Sequence, residues 1–205
     1  DAADYKIKGA FGEKTANVNA GATARDVAKA FNLIAGTTGV NANVITRAQI
    51  SSVAAIGDIT FTLAGKNDVA GKEATVNVAI ASTSDVTALK DAINAVSGKT
   101  GITAALTDDL KGVNLVQSDG YNIVIGGLAG QDMVVAGQQI RSDGTDDGTI
   151  QTLAAVTLDH DGKDSTAIVG QVSLSSHKAF TVTPGDVKNI FSGATTAENS
   201  KLVAM

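Results

Sequence analysis

The sequence predicts an α+β, β-rich protein of two small domains, each a mainly antiparallel sheet with one packed helix. Three observations predict it. One segment occurs twice, the apolar spacing within each copy switches between helical and strand periods, and from about Asp132 onward the helical stripe gives way to short apolar runs punctuated by Gly, Asp, Ser and Thr. The run Gly36-Thr37-Thr38-Gly39-Val40, which follows Phe31-Asn32, is answered by Gly98-Lys99-Thr100-Gly101-Ile102, which follows Ile93-Asn94. Gly98 lies 62 residues after Gly36, and Asn94 lies 62 after Asn32. A unit duplicated without a shared reactive side chain points to architecture before catalysis.

In the first copy, Thr15 to Ala20 reads as a strand. Val27, Ala30, Phe31 and Ile34 then fall at i, i+3, i+4 and i+7, the buried stripe of a helix over Thr23 to Ala35. Thr23 is the expected N-cap, with Asp26 completing a capping box, and Gly36 is the expected left-handed residue that ends the helix. Val40, Ala42 and Val44 alternate on the next strand, and Ile59, Phe61 and Leu63 on another.

The second copy repeats the plan. Ala74 to Ala81 is a strand, Asp85 the expected N-cap, Leu89, Ala92, Ile93 and Val96 the stripe, and Gly98 the closing residue. Ile102, Ala104 and Leu106 alternate as a strand, followed by strands at Val113 to Val116 and Tyr121 to Ile125. Each copy therefore reads strand, helix, strand, strand. Further strands are expected at Val134-Val135, Leu153 to Leu158, Ala167 to Leu174 and Ala179 to Val182, with Pro184 just after the last. The stretch from Phe191 to Met205 gives weak signals.

Composition narrows function. A hydrophobic fraction of 43% fills a core, but 3% aromatic residues and no Trp remove the usual stacking platforms for sugars and single-stranded nucleic acid. A net charge of −5 without a Lys or Arg block argues against nucleic acid and anionic membrane as partners. No window approaches the roughly 18 apolar residues of a membrane span. The start resembles no signal peptide, and a first residue other than Met reads as a piece of something longer. With no cysteine there is no disulfide, thiolate nucleophile or cysteine metal site.

The chemical look-alikes have simpler readings. Gly98-Lys99-Thr100 mimics the end of a phosphate-binding loop, yet Ile93 stands where the loop needs its first glycine, and this glycine leaves a helix instead of opening one. Asp159-His160-Asp161-Gly162-Lys163-Asp164 resembles the start of a calcium loop but lacks the later Glu, and Asp-Gly between strand-like runs signals a hairpin. Ser142 to Gly148 reads as a similar solvated turn. The two histidines, His160 and His177, lack a nucleophile motif or a local triad. The expectation is no catalysis, no metal and no cofactor. Asn32 and Asn94 recur beside the stripe although Asn is a mediocre helix former, and the expected reason is an amide satisfying loop backbone near the helix end.

The paired stretches Asp26 through Val40 and Leu89 through Ile102 closely resemble the IN motif of bacterial flagellins and flagellar hook-associated proteins. The residues carrying it are Phe31, Asn32, Gly36, Gly39 and Val40 in one copy and Ile93, Asn94, Gly98, Gly101 and Ile102 in the other. Gly57 to Leu63 and Gly170 to Val182 also look like outer-domain flagellin sequence. The long heptad helices through which flagellins polymerise have no counterpart here, so the resemblance is to the surface-exposed variable domains inserted between them.

That resemblance implies a non-enzymatic, extracellular structural part of the bacterial flagellum. Its partners are other flagellin subunits in the full-length homopolymer, while the isolated fragment is expected to be a monomer. Some flagellins carry O-linked glycans on Ser/Thr-rich surfaces, and no Asn-x-Ser/Thr sequon occurs here. It further implies nesting: residues 1–65 with 166–205 as an inner domain, and 66–165 as an outer one, with Asp1 and Met205 at the same end. A cap or hook-junction protein shares the motif. The rival from another class, a carbohydrate-binding adhesin module, is weakened by the aromatic scarcity.

Overall fold

A computed structural model of the chain describes residues 3–140 and 150–185. It is β-rich with few helices and antiparallel sheets, the expected α+β class. The chain divides into two compact units, Asp1–Val44 with Val172–Met205, and Ile45–Gln171.

In the first unit, β1 (Ala3–Lys8) forms a hairpin with β2 (Glu13–Val18), with Tyr5 opposite Ala16 and Ile7 opposite Lys14. The helix α1 (Ala24–Asn32) follows, then a four-residue helix α2 (Ala35–Thr38), then β3 (Val40–Val53), whose first residues belong here. The chain comes back through β13 (Gln171–Ser176), which pairs with β3, and β14 (Thr181–Pro184), which pairs with β1. Alternation puts Tyr5 and Ile7 on the inner face, where they meet Val27, Phe31 and Ile34 of the helical stripe. The Tyr5 and Phe31 rings pack tilted, with centroids 5.8 Å apart.

Two details of this unit bear on the sequence reading. β1 was not among the expected strands, although Tyr5 and Ile7 alternate with Asp4, Lys6 and Lys8. Pro184 is the last residue of β14 and not a residue beyond it, paired with Tyr5. The Gly185 N–H donates to the Asp4 carbonyl at 2.7 Å, so Tyr5 and Pro184 form a pair that needs no hydrogen bond and the missing N–H of proline costs nothing. Asp1 and Met205 lie outside the described residues.

In the second unit, β4 (Gly57–Ala64) pairs with β5 (Ala74–Ile80). Then come α3 (Thr87–Ala95), the short α4 (Ser97–Thr100), β6 (Ile102–Leu106) and β7 (Val113–Gln117). After these follow β8 (Ile123–Gly130), β9 (Met133–Ile140), β10 (Ile150–Thr152), β11 (Val156–Leu158) and β12 (Thr166–Ile168). One sheet runs β10-β9-β3-β7-β6, with β11 also on β9, and the other runs β12-β8-β4-β5. Ile59, Phe61 and Leu63 of β4 join Ile50, Leu89 and Ile93 in one buried cluster. The division between units falls at 44/45 and 171/172, where the sequence reading puts it at 65/66 and 165/166, because β4 pairs with β5 and β8.

The expected run Ala167 to Leu174 is two strands, β12 and β13. Asp159 to Asp164 is a turn, but not a hairpin turn: β11 pairs with β9 and β12 with β8, in different sheets. Period-two alternation identifies a strand without identifying its neighbour.

Candidate functional site: a repeated side-chain latch

Both helices are followed by one helical turn and a strand, and the same side chains fasten the strand in each copy. The Asn94 Nδ2 donates to the Ala104 carbonyl at 2.9 Å, and Asn94 Oδ1 accepts from the Ala104 N–H at 2.8 Å. Asn32 makes the same pair of bonds with Ala42, at 2.9 and 2.8 Å. A planar amide thus offers one residue the donor and acceptor that a neighbouring strand would offer. The amides reach the strand ten residues on and not the loop at the helix end, which corrects the expected partner.

A threonine completes each latch. Thr100 Oγ1 donates to the Val96 carbonyl at 3.2 Å and accepts from the Ile102 N–H at 3.1 Å. Thr38 does the same between Ile34 and Val40, at 3.1 and 3.2 Å. Both threonines are fully buried and both hydroxyls are satisfied within the motif. These two residues escaped the sequence reading as site residues. The signal was present, since Thr100 stands 62 residues after Thr38.

The glycines fall differently from expectation. Gly36 and Gly98 lie inside α2 and α4, and the left-handed closing residues are Gly39 and Gly101, each at φ 73°. The extra turn moves the cap three residues along, and only there does the backbone enter the region that favours glycine. Phe31 and Ile93 fill the core beneath the helices, and Val40 and Ile102 open the strands as buried residues.

The repeat also extends backward. Gly65 follows Gly9 by 56 residues, and an added Cβ would stand 2.0 Å from the Thr38 carbonyl at Gly9 and 2.4 Å from the Thr100 carbonyl at Gly65. The same spacing relates Tyr5 to Phe61 and Ile7 to Leu63. Each copy is therefore a hairpin, a helix, a latch turn and a strand, with hairpin loops of different length.

The helix starts differ. Thr23 and Asp26 form the expected capping box, which holds the Asp26 carboxyl below its usual range through the Thr23 hydrogen bonds. Asp85 is not the N-cap of α3. It stands before the capping position, Val86, and accepts from the Thr87 hydroxyl and N–H at 2.6 and 3.0 Å.

The chemical look-alikes occupy structural roles. Lys99 Nζ donates to the Glu73 carbonyl at 2.7 Å, and the Thr100 hydroxyl is consumed by the latch. His177 is exposed, and the neighbouring Ser176 hydroxyl donates to the Gly39 carbonyl at 2.8 Å. No group of three or more His, Asp or Glu is placed to hold a metal among the described residues. Ser142 to Gly148 lies outside them.

His160 staples the start of β9. Its Nδ1 lies 3.0 Å from Asp132 Oδ1, and its Nε2 3.4 Å from Asp161 Oδ1. The Asp132 hydrogen bond first, and then the Asp161 charge, raise the imidazole pKa above its ordinary 6.5, while Asp132 is held below 3.8 mainly by the same bond. The stabilisation contributed by His160 is fully present below pH 6.5 and is lost as pH rises through the raised value. That contributed by Asp132 is present above pH 3.8 and is lost as pH falls through the lowered value. Asp132→Asn should bring the His160 pKa down in an NMR titration of the imidazole protons. An unchanged midpoint would mean that the pair does not form in solution.

The pattern that defines the flagellin hook IN motif matches residues 58–120. The chain carries a flagellin IN unit. The match begins in β4 and ends just after β7, so it takes in the second hairpin, its helix, the Asn94 and Thr100 latch and β6. The first copy reproduces the latch of the IN unit bond for bond. Over that segment the chain is similar to the IN motif of flagellin-family structural proteins. No curated protein matches the chain. Among the described residues, no helix is long and apolar enough to cross a membrane.

Proposed function

We propose that the chain is the surface-exposed outer region of a bacterial flagellin, part of the extracellular filament used for motility. The observation that carries this reading is the IN unit at residues 58–120. The hydrogen bond between Gly185 and Asp4 supports it, because a segment inserted into a polymerising host has to leave beside the point where it came in. In this reading Asp1–Val44 with Val172–Met205 is the inner domain and Ile45–Gln171 the outer one. Other flagellin subunits are its partners, the isolated fragment is a monomer, and surface Ser and Thr are available to O-linked glycans.

Gold-labelled antibody raised against the chain, viewed by electron microscopy on flagellated cells of the source, tests the assignment. Label along whole filaments is the expected result. Label restricted to tips or bases would move the assignment to a cap or hook-junction protein. Unlabelled filaments would overturn the flagellar reading.

A further inference from the structure

Among the described residues β6 is the last strand of its sheet, with β7 as its ladder neighbour. Both backbone groups of Ala104 are taken by Asn94, so they point away from β7, and by the two-residue period those of Ile102 and Leu106 point the same way. Thr100 takes the Ile102 N–H on that same outward edge. Two side chains thus occupy three of the backbone groups that an incoming strand would use.

Natural edges are commonly blunted by charge, especially Lys, or by Pro. From Thr100 to Thr107 the chain has neither charge nor proline, and β6 reads Ile-Thr-Ala-Ala-Leu, an apolar and mostly small-residue strand. Such a strand can pair antiparallel with its own copy about Ala104. What stands in the way is the latch and the helix end that Asn94 ties to the strand.

We propose that Asn94 and Thr100 guard the β6 edge, and that without them β6 pairs with the β6 of a second copy of this chain. The latch would then keep the subunit free of strand-to-strand self-pairing, a role independent of the filament assignment above.

Light scattering of the 205-residue chain over a concentration series tests this. Asn94→Ala should raise the apparent mass toward twice that of a single chain as concentration increases, with the wild type unchanged. Thr100→Val keeps the shape, frees one N–H, and should associate more weakly than Asn94→Ala. Asn94→Asp still accepts from the Ala104 N–H and brings a charge to the edge, so it should stay at the mass of a single chain. Ile93→Val trims the same helix with the guard intact and should do likewise. Association of Ile93→Val to the same degree would show that loosened packing drives it, and would overturn the proposal. So would Asn94→Ala and Thr100→Val both remaining at wild-type mass.

Discussion

Phe61→Ala is expected to destabilise the second unit by about 3–5 kcal/mol. Phe61 is fully buried at the middle of β4, a strand with β5 on one side and β8 on the other, so the sheet cannot close over the lost ring by moving an edge. With 3% aromatic residues in the chain, few side chains are large enough to fill the hole, and its neighbours Ile59, Leu63, Leu89 and Ile93 are already in place. Denaturant unfolding followed by circular dichroism reads the loss, with hydrogen exchange in β4 and β5 placing it. A loss under about 1 kcal/mol would mean that the cluster repacks around the gap, against the cavity argument.

The second large effect is expected at Gly65. A methyl group there would stand 2.4 Å from the Thr100 carbonyl, which also accepts the Lys66 N–H at 2.9 Å. Backbone sits on both sides of the clash, so relief has to come from pulling the latch turn off the hairpin. Gly65→Ala should cost roughly 3 kcal/mol or more, beyond ordinary overpacking. Gly98→Ala provides the contrast. Gly98 has open space where the methyl would go and lies within a helical turn, so alanine should be neutral or raise stability by up to about 1 kcal/mol. If instead Gly98→Ala were the damaging substitution, the cap would be at Gly98 as the sequence alone suggested, and not at Gly101.

That contrast shows where sequence reasoning reaches its limit. The stripes of α1 and α3 were legible because helical periodicity is a local property, and Val27, Phe31, Leu89 and Ile93 are buried as the spacing requires. In each Gly-x-x-Gly run both glycines looked fit to end the helix. Choosing between them depends on whether one more turn forms, which is decided by the Thr38 and Thr100 bonds to carbonyls four residues back.

Asn32 and Asn94 stood out as residues in need of a reason, but the reason lies in a strand ten residues away. The tie between Gly65 and Thr100 spans 35 residues and leaves no periodic trace, so only their juxtaposition reveals it. The strands beyond β9 were recognised in part as strands, while their pairing across two sheets was invisible for the same reason.

The Gly185 to Asp4 bond has a consequence for the order of folding. It joins residues 181 positions apart, so β1 has no β14 to pair with until nearly the whole described chain has been made. The pairings of β4 with β5 and β8 close over far shorter separations. Contacts between distant residues carry the larger loop-closure entropy, so the β1–β14 ladder is expected to form late.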